Sequence, residues 1–432
     1  MKMTQHGWKM GISINSGDFR EVKSCRLCSE KLINQSVDLG NSGLANELYN
    51  DEESAQNADK FPLLIGMCDS CKHIQLKHVI SPKRMFSNYI YKSGVSFSFQ
   101  KHFEDAAICI KSLLKKDGFV IEIGSNDGLL LSKLNKLGVS AIGVEPSLGL
   151  AEVSRQDDLE VIHGFWDEQT KLEIIEKFGK PQVIVANNVF AHIDDMRKAT
   201  QLIEETLSED GFFVFEVSYF GDVFEKNLFD TVYHEHMSYH TIKPLVNFFN
   251  EFNLNLIDVE RIPIHGGSVR VTVAKDPKAA KSTSLINLLD YEHSMGFDNE
   301  ATLVKFKDKI DSKKLEVNKI LSNISNTDFV FGYAAPAKLV TFLSVMELEK
   351  IKLVGVIDDN LEKQDKFLPG SAIPIVSTKK ILAELGQNKF ANIYCLVFAW
   401  NIGSELLEKL REKFPSGTKV VQFMPEVSSV EL

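Results

Sequence analysis

At 432 residues, with 44% hydrophobic and 25% charged side chains, the chain has ordinary globular composition and is too long for one core, so two or three domains are expected. Its 49 basic and 59 acidic residues leave a net charge of -10, which argues against nucleic acid as the main partner, because phosphate binding needs concentrated positive charge. No uninterrupted run of about 18 apolar residues offers a membrane span, residues 1–20 hold no apolar stretch suited to a signal peptide, and a cytoplasmic protein is expected.

Residues 1–20 are polar and patternless and read as a loose leader. Two C-x2-C turns follow, Cys25/Cys28 and Cys68/Cys71. Four thiolates on two such turns fit a closed, tetrahedral, structural zinc site. Two disulfides or four unrelated core cysteines are the other readings, the first disfavoured in a reducing compartment. Cys109 and Cys395 sit among apolar residues and read as core. Tyr89, Tyr91 and Ser93 could line a polar ligand, and a plain surface loop or joining strand accounts for them equally well. Residues 98–115 have helical periodicity.

The next stretch organises the chain. Residues 119–123 form an apolar strand, Gly124-Ser125-Asn126-Asp127-Gly128 a tight turn, 129–137 a helix and 141–144 a second strand that ends in Glu145 and Pro146. This is the βαβ layout of a nucleoside-cofactor site, with Glu122 before the turn and Glu145 placed to accept ribose hydroxyls. A dinucleotide turn reads GxGxxG, whereas here Asn126 replaces the middle glycine and Asp127 adds negative charge. That opposes a diphosphate and suits S-adenosylmethionine, which is cationic and carries no phosphate. Further strands are expected at 160–162, 183–188, 211–217, 254–262 and 268–274. Phe165 is placed to stack on adenine, while Asn187 and Asn188 end the fourth strand and His192 follows it, at the switch point where donor and acceptor should meet.

The most chemically loaded segment is Asp230-Thr231-Val232-Tyr233-His234-Glu235-His236-Met237-Ser238-Tyr239-His240. Acid–base work by a histidine oriented by a carboxylate and a phenol is one reading, a metal site a second, and a solvated loop a third. His265 and Arg270 lie in a hairpin and could touch substrate. An amphipathic helix over 301–324 should pack between domains. The last third repeats the α/β rhythm, with strands near 329–331, 352–357, 373–376, 393–398 and 420–423. Lys338 sits at a helix N-terminus fit for phosphate, Asp358 ends the next strand, and Trp400 ends another. A purely structural α/β domain is the plainer reading.

Taken together, the paired C-x2-C turns, EIGSNDG at 122–128, GVEPS at 143–147, NNVFAHIDD at 187–195, YHEHMSY at 233–239, HGGSVR at 265–270, GYAAPAK at 332–338 and AWNI at 399–402 carry a resemblance over nearly the whole chain. The sequence resembles the three-part sugar C-methyltransferases, such as the mycarose 3-C-methyltransferases. The resemblance implies a class I methyltransferase α/β domain that binds S-adenosylmethionine, a small N-terminal subdomain holding structural zinc, and a second, smaller Rossmann-like domain that helps hold a nucleotide-sugar. Tyr233, Glu235 and His236 fall at the family's active-site positions, and His192 at a further polar position facing substrate. Ala334 stands where the family often has glycine, and Leu339-Val340 where a glycine or polar residue is commoner. The expected parts are 1–20 leader, 21–85 zinc-binding, 86–277 methyltransferase and 278–432 C-terminal, in a monomer or small homo-oligomer.

The implied chemistry is alkylation of an enolate at C3 of a nucleotide-linked 4-keto-deoxysugar. His236 would be the base, Glu235 its orienting partner and Tyr233 the hydrogen-bond donor to the ketone oxygen. The alternatives are an O- or N-methyltransferase on a sugar or other small molecule, and a non-catalytic nucleotide-sugar-binding protein.

Overall fold

A computed structural model describes residues 19–86, 97–348, 352–387, 389–399 and 403–432. The N-terminal part is built from short antiparallel strands: β1 (Phe19–Glu21), β2 (Leu32–Ser42), β3 (Phe61–Cys68), β4 (Ile74–Leu76) and β5 (His78–Ile80). Strand β3 explains itself, because Phe61, Leu63, Ile65 and Met67 alternate along it and are fully buried. Strand β1 pairs with β5, while β2, β3 and β4 form a separate sheet that is open at its β4 edge to a strand from further along the chain.

The central sheet contains β6 (Val120–Ile123), β7 (Ala141–Glu145), β8 (Glu160–His163), β9 (Val183–Asn187) and β10 (Phe212–Ser218). Then β11 (Ser238–Tyr239) leaves this sheet and pairs antiparallel with β4, so the histidine-rich segment is sewn onto the N-terminal sheet. A hairpin of β12 (Asn255–Ile262) and β13 (Ser268–Ala274) completes the seven strands, in the order β12-β13-β10-β9-β6-β7-β8. Strand β13 runs antiparallel to both its neighbours, β10 and β12, and the remaining pairs of this sheet are parallel. The order reverses between β6 and β9, and such a switch point opens a crevice at the carboxyl ends of those strands. Every strand expected here is present within a residue or two. The hairpin turns through His265, Gly266 and Gly267 at φ 54, 90 and 142, and a side chain on Gly267 would collide with Asp222.

Two helices, Thr283–Met295 and Ala301–Leu321, lead to the last sheet. On the second, Leu303, Phe306, Ile310, Val317 and Leu321 make one buried stripe. The stripe joins Phe220 and Phe224 of the central part, Val37 and Leu39 of β2, and Leu339 and Leu343 of the C-terminal part in one core, as expected for a helix packed between domains. The C-terminal sheet has β14 (Phe329–Tyr333), β15 (Val356–Ile357), β16 (Ile375–Val376), β17 (Ile393–Val397) and β18 (Lys419–Gln422) parallel, with β19 (Ser428–Glu431) antiparallel at the edge. Its order, β16-β15-β14-β17-β18-β19, is again doubly wound. Strands β15 and β16 are shorter than the apolar runs suggest. Pro374 has no amide to give to the ladder, so β16 starts after it. Among the described residues, no helix is long and apolar enough to cross a membrane.

Candidate functional site

The turn after β6 is shaped by backbone that favours residues with little or no side chain. Gly124, Asn126 and Gly128 lie at φ 67, 51 and 76, in the left-handed region open to glycine and tolerated by asparagine. A Cβ on Gly124 would stand 2.5 Å from Val189 Cγ2. Glu145, at the end of β7, closes the turn from the side: its carboxylate accepts from the Asn126 and Ser147 amides, both at 2.8 Å. Burial raises its pKa, partly offset by those amides. Glu122 is buried beneath the turn and is raised well above the usual carboxylate range by burial, then by the charges of Asp127 and Glu145, with Asn187 offsetting a little. This acid-rich pocket suits a cation and repels a phosphate. Glu122 Oε2, Ser125 Oγ and Asn187 Nδ2 are buried at this turn without a well-formed hydrogen bond, so it has unmet polar capacity for a ligand with donors and acceptors. Asn188, at φ 55, gives its amide to the Glu216 carbonyl at 2.8 Å, and Phe165 is 44% exposed, as a stacking partner must be. These residues fit S-adenosylmethionine.

Across the crevice, a loop holds Tyr233 and His236. The Tyr233 hydroxyl lies 2.8 Å from His236 Nε2, and His236 Nδ1 lies 2.8 Å from the Thr231 carbonyl. The carbonyl can only accept, so Nδ1 carries the hydrogen and Nε2 the lone pair. Burial lowers His236 to about 4, against the pull of the Thr231 carbonyl, and the charge of Lys338 lowers it further. The His192 ring stacks on His236 at 5.1 Å between centroids, and burial followed by that neighbour pushes His192 well below the ordinary histidine value. Glu235 does not orient His236 as the sequence suggested. Its Oε1 accepts from Asn46 Nδ2 at 2.7 Å, and the Thr231 carbonyl takes the orienting role, because backbone five residues earlier in the same loop is already in reach.

His265, at φ 54, packs against Phe99 at 4.7 Å, and burial, Lys338, His236 and His102 in that order push it down to about 3. Lys338 is lowered by burial and held up by Asp230. The helix Lys338–Met346 is docked on this loop by Thr341 Oγ1, which donates to the Val232 carbonyl at 2.9 Å, and by Phe342 stacked on Phe229. His192, Tyr233, His236, His265 and Lys338 therefore form one cluster with contributions from two sheets.

Arg270 and Asp358 do not join it. Arg270 pairs with buried Glu216 at 2.6 Å and with Glu260 at 2.8 Å, while His102 Nε2 lies 2.7 Å from the other Glu216 oxygen. Asp358 accepts from the Ala335 and Asn360 amides at 2.8 and 2.9 Å, the role Glu145 plays in the central sheet. Tyr89, Tyr91, Ser93 and Trp400 lie outside the described residues. Sequence reasoning assigned no role to Thr231, whose carbonyl acts whatever its side chain, or to Asn46, and passed over Arg26, whose place between two cysteines was a signal.

The Sγ atoms of Cys25, Cys28, Cys68 and Cys71 all lie within 4.8 Å of one another, with Cys25–Cys71 at 3.6 Å and Cys28–Cys68 at 3.3 Å. A tetrahedral ion with Zn–S bonds of about 2.3 Å needs sulfur–sulfur edges of roughly 3.8 Å, so the set fits zinc. The two turns share one construction. The amides of Ser29 and Lys72 return to the Cys25 and Cys68 carbonyls, and both residues sit in the left-handed region at φ 64 and 65. None of the six cysteines is joined in a disulfide.

Three family models match consecutive stretches: "Putative zinc binding domain" at 25–86, "Methyltransferase domain" at 101–259 and "C-methyltransferase C-terminal domain" at 263–425. The C-methyltransferase NovU of Streptomyces niveus is 30% identical over 413 residues, covering 94% of this chain and 96% of its own. Among solved structures, the magnesium protoporphyrin IX methyltransferase of Synechocystis overlaps 43% of this chain and 90% of its own, at 11% identity and a TM-score of 0.34. The CcbJ methyltransferase of Streptomyces caelestis overlaps 46% and 96%, at 14% identity and the same TM-score of 0.34. Family membership rests on the three models and the full-length relative, and the chain belongs to the S-adenosylmethionine-dependent C-methyltransferases built from a zinc-binding, a methyltransferase and a C-terminal domain.

Proposed function

We propose that the chain methylates carbon 3 of a nucleotide-linked 4-keto-deoxysugar. The observation that carries this reading is the Tyr233–His236 pair, a phenol 2.8 Å from an imidazole nitrogen whose tautomer is fixed by the Thr231 carbonyl. A carbon nucleophile needs a base, and neither oxygen nor nitrogen acceptors need one next to a hydrogen-bond donor for a ketone. His236 is neutral at pH 7, so Nε2 is ready to accept a proton. On this reading the acceptor's ketone oxygen draws the Tyr233 hydroxyl to itself and frees Nε2. The C3–H bond breaks, its proton passes to Nε2, and its electrons move into the enolate, with charge on the C4 oxygen facing the Tyr233 O–H. An enolate beside the new imidazolium raises the histidine's pKa by opposite charge, which offsets the low value in the free enzyme. S-adenosylmethionine supplies an electrophilic methyl group. With the donor held by the turn after β6, carbon 3 would be placed in line with that methyl, the sulfur leaving as the thioether, and positioning would supply much of the acceleration.

Glu122, Gly124, Ser125, Asn126, Gly128, Glu145, Pro146, Phe165, Asn187 and Asn188 would hold the donor. His192, His265 and Lys338 would bind the sugar, and the turn with Asp358 would face the nucleotide. In this division residues 21–85 hold zinc, 86–277 the donor and 278–432 the nucleotide. The name of the relative, a C-methyltransferase, supports a carbon acceptor. Incubating the enzyme with the donor and a panel of 4-keto nucleotide-sugars, read by mass and by the position of the new methyl, tests the proposal. A carbon-bound methyl at C3 is expected. Methyl found only on oxygen or nitrogen, or no product from any member, would refute it.

A further inference from the structure

We propose that Arg26, set between two zinc ligands, is a positioning residue that ties the loops carrying His192 and His236 to the zinc-binding turn. Arg26 is 6% exposed, and its fork reaches three oxygens from three segments. Nη1 donates to the Leu76 carbonyl at 2.9 Å and to the Met237 carbonyl at 3.1 Å, and Nε donates to Asp194 Oδ1 at 3.3 Å. Met237 follows His236 directly, and Asp194 lies two residues after His192. The two loops also hold each other, since the Met237 amide donates to the Ala191 carbonyl at 2.9 Å. The Arg26 amide, in turn, is fixed on Gln75 Oε1 at 2.8 Å.

Burying a guanidinium is costly, and burial does lower Arg26, with Asp194 opposing the shift. An apolar side chain would fill the same space at less cost but could not gather these oxygens. The stacked His192–His236 pair, 5.1 Å between centroids, depends on both loops keeping their relative place. The same zinc-binding part braces the segment twice more, through Asn46 on Glu235 and through β4 paired with β11. A fixed Cys25–Cys28 turn therefore fixes Arg26, and Arg26 fixes the stacked His192–His236 pair.

The inference rests on the acid–base reading of His236, and its test separates the two. Full-length wild type, Arg26→Met and Arg26→Lys are compared for zinc content, donor affinity by calorimetry, kcat and KM, and amide hydrogen exchange in residues 189–194 and 233–238. Arg26→Met is expected to keep zinc and donor affinity, to lose kcat about 100-fold, as a misplacement on the order of 1 Å does, and to exchange faster in both loops. Arg26→Lys should recover part of the loss. Asp194→Asn, which cuts one charged bond of the clamp, should show the same pattern with a loss of roughly tenfold. Zinc-loaded Arg26→Met with wild-type kcat and unchanged exchange would overturn the proposal. If that variant fails to fold, Asp194→Asn decides, and unchanged kcat and exchange there would overturn it. If wild type methylates no acceptor, the function reading falls, while the exchange measurement still decides the role of Arg26.

Discussion

Arg270→Met should cost the protein stability and leave acceptor binding nearly untouched. The Arg270 fork places Nε 2.7 Å and Nη2 2.6 Å from Glu216 Oε1. The Glu216 side chain is 1% exposed, so its charge has no water to fall back on, and His102 at 2.7 Å becomes its one remaining ion-pair partner among the described residues. The second pair, to the largely exposed Glu260, adds less than about 1 kcal/mol. Removing one partner of a buried pair costs about 3–5 kcal/mol. A double-mutant cycle with Glu216→Gln in chemical denaturation isolates the term, and the double variant should be less destabilised than the two singles added together. The sign with pH is also fixed. Burial raises Glu216, but the His102 hydrogen bond and the Arg270 charge hold it below its ordinary 4.5. The unfolded chain therefore takes up that proton first, the stabilisation is complete above 4.5, and it is lost as pH falls through the depressed value. The penalty of Arg270→Met should shrink over that window. A variant within about 1 kcal/mol of wild type at neutral pH, with a raised acceptor KM, would refute the reasoning and return Arg270 to the substrate site.

Gly124→Ala forces a side chain into a left-handed turn 2.5 Å from Val189 and should weaken donor binding at least roughly tenfold by calorimetry, since a shift of about 1.4 kcal/mol suffices. Ala334 occupies φ 66, so Ala334→Gly should raise thermal stability, by about 1 kcal/mol, with no change in donor affinity. With His236 at about 4, kcat/KM should stay level as pH drops through 6.5 and fall only near 4, where the base becomes protonated. The depressed His234, His236, His240 and His265 bind their protons later in the fold than in the unfolded chain, so stability declines from 6.5 downward. The rate profile therefore needs brief pH jumps from neutral stock.

Both doubly wound sheets were legible in the sequence because parallel strands buried on two faces read as short apolar runs between glycine turns, as at 119–128 and 329–338. The cysteine spacing gave the thiolate cluster for a similar reason, since chemistry confines it to a few residue types. Long-range partners were not legible. Glu235 beside His236 looked like an orienting pair, but a loop of this kind sends neighbouring side chains apart, and a backbone carbonyl did the orienting. Backbone acceptors and Asn46, 189 residues away, leave no trace in composition. Arg270 read as a ligand contact for the opposite reason: a charge in a hairpin looks exposed until the facing acid on β10 is known.

The central claim, that His236 takes a proton from a carbon acceptor, is tested most directly by hydrogen exchange in heavy water. Wild type and His236→Asn are incubated with a 4-keto nucleotide-sugar and S-adenosylhomocysteine, so that no methyl transfer competes, and deuterium at C3 is followed by mass. Wild type should install one deuterium and His236→Asn should install none at a comparable rate. Exchange at the wild-type rate in the variant, or methyl transfer by a wild type that never labels C3, would contradict the account.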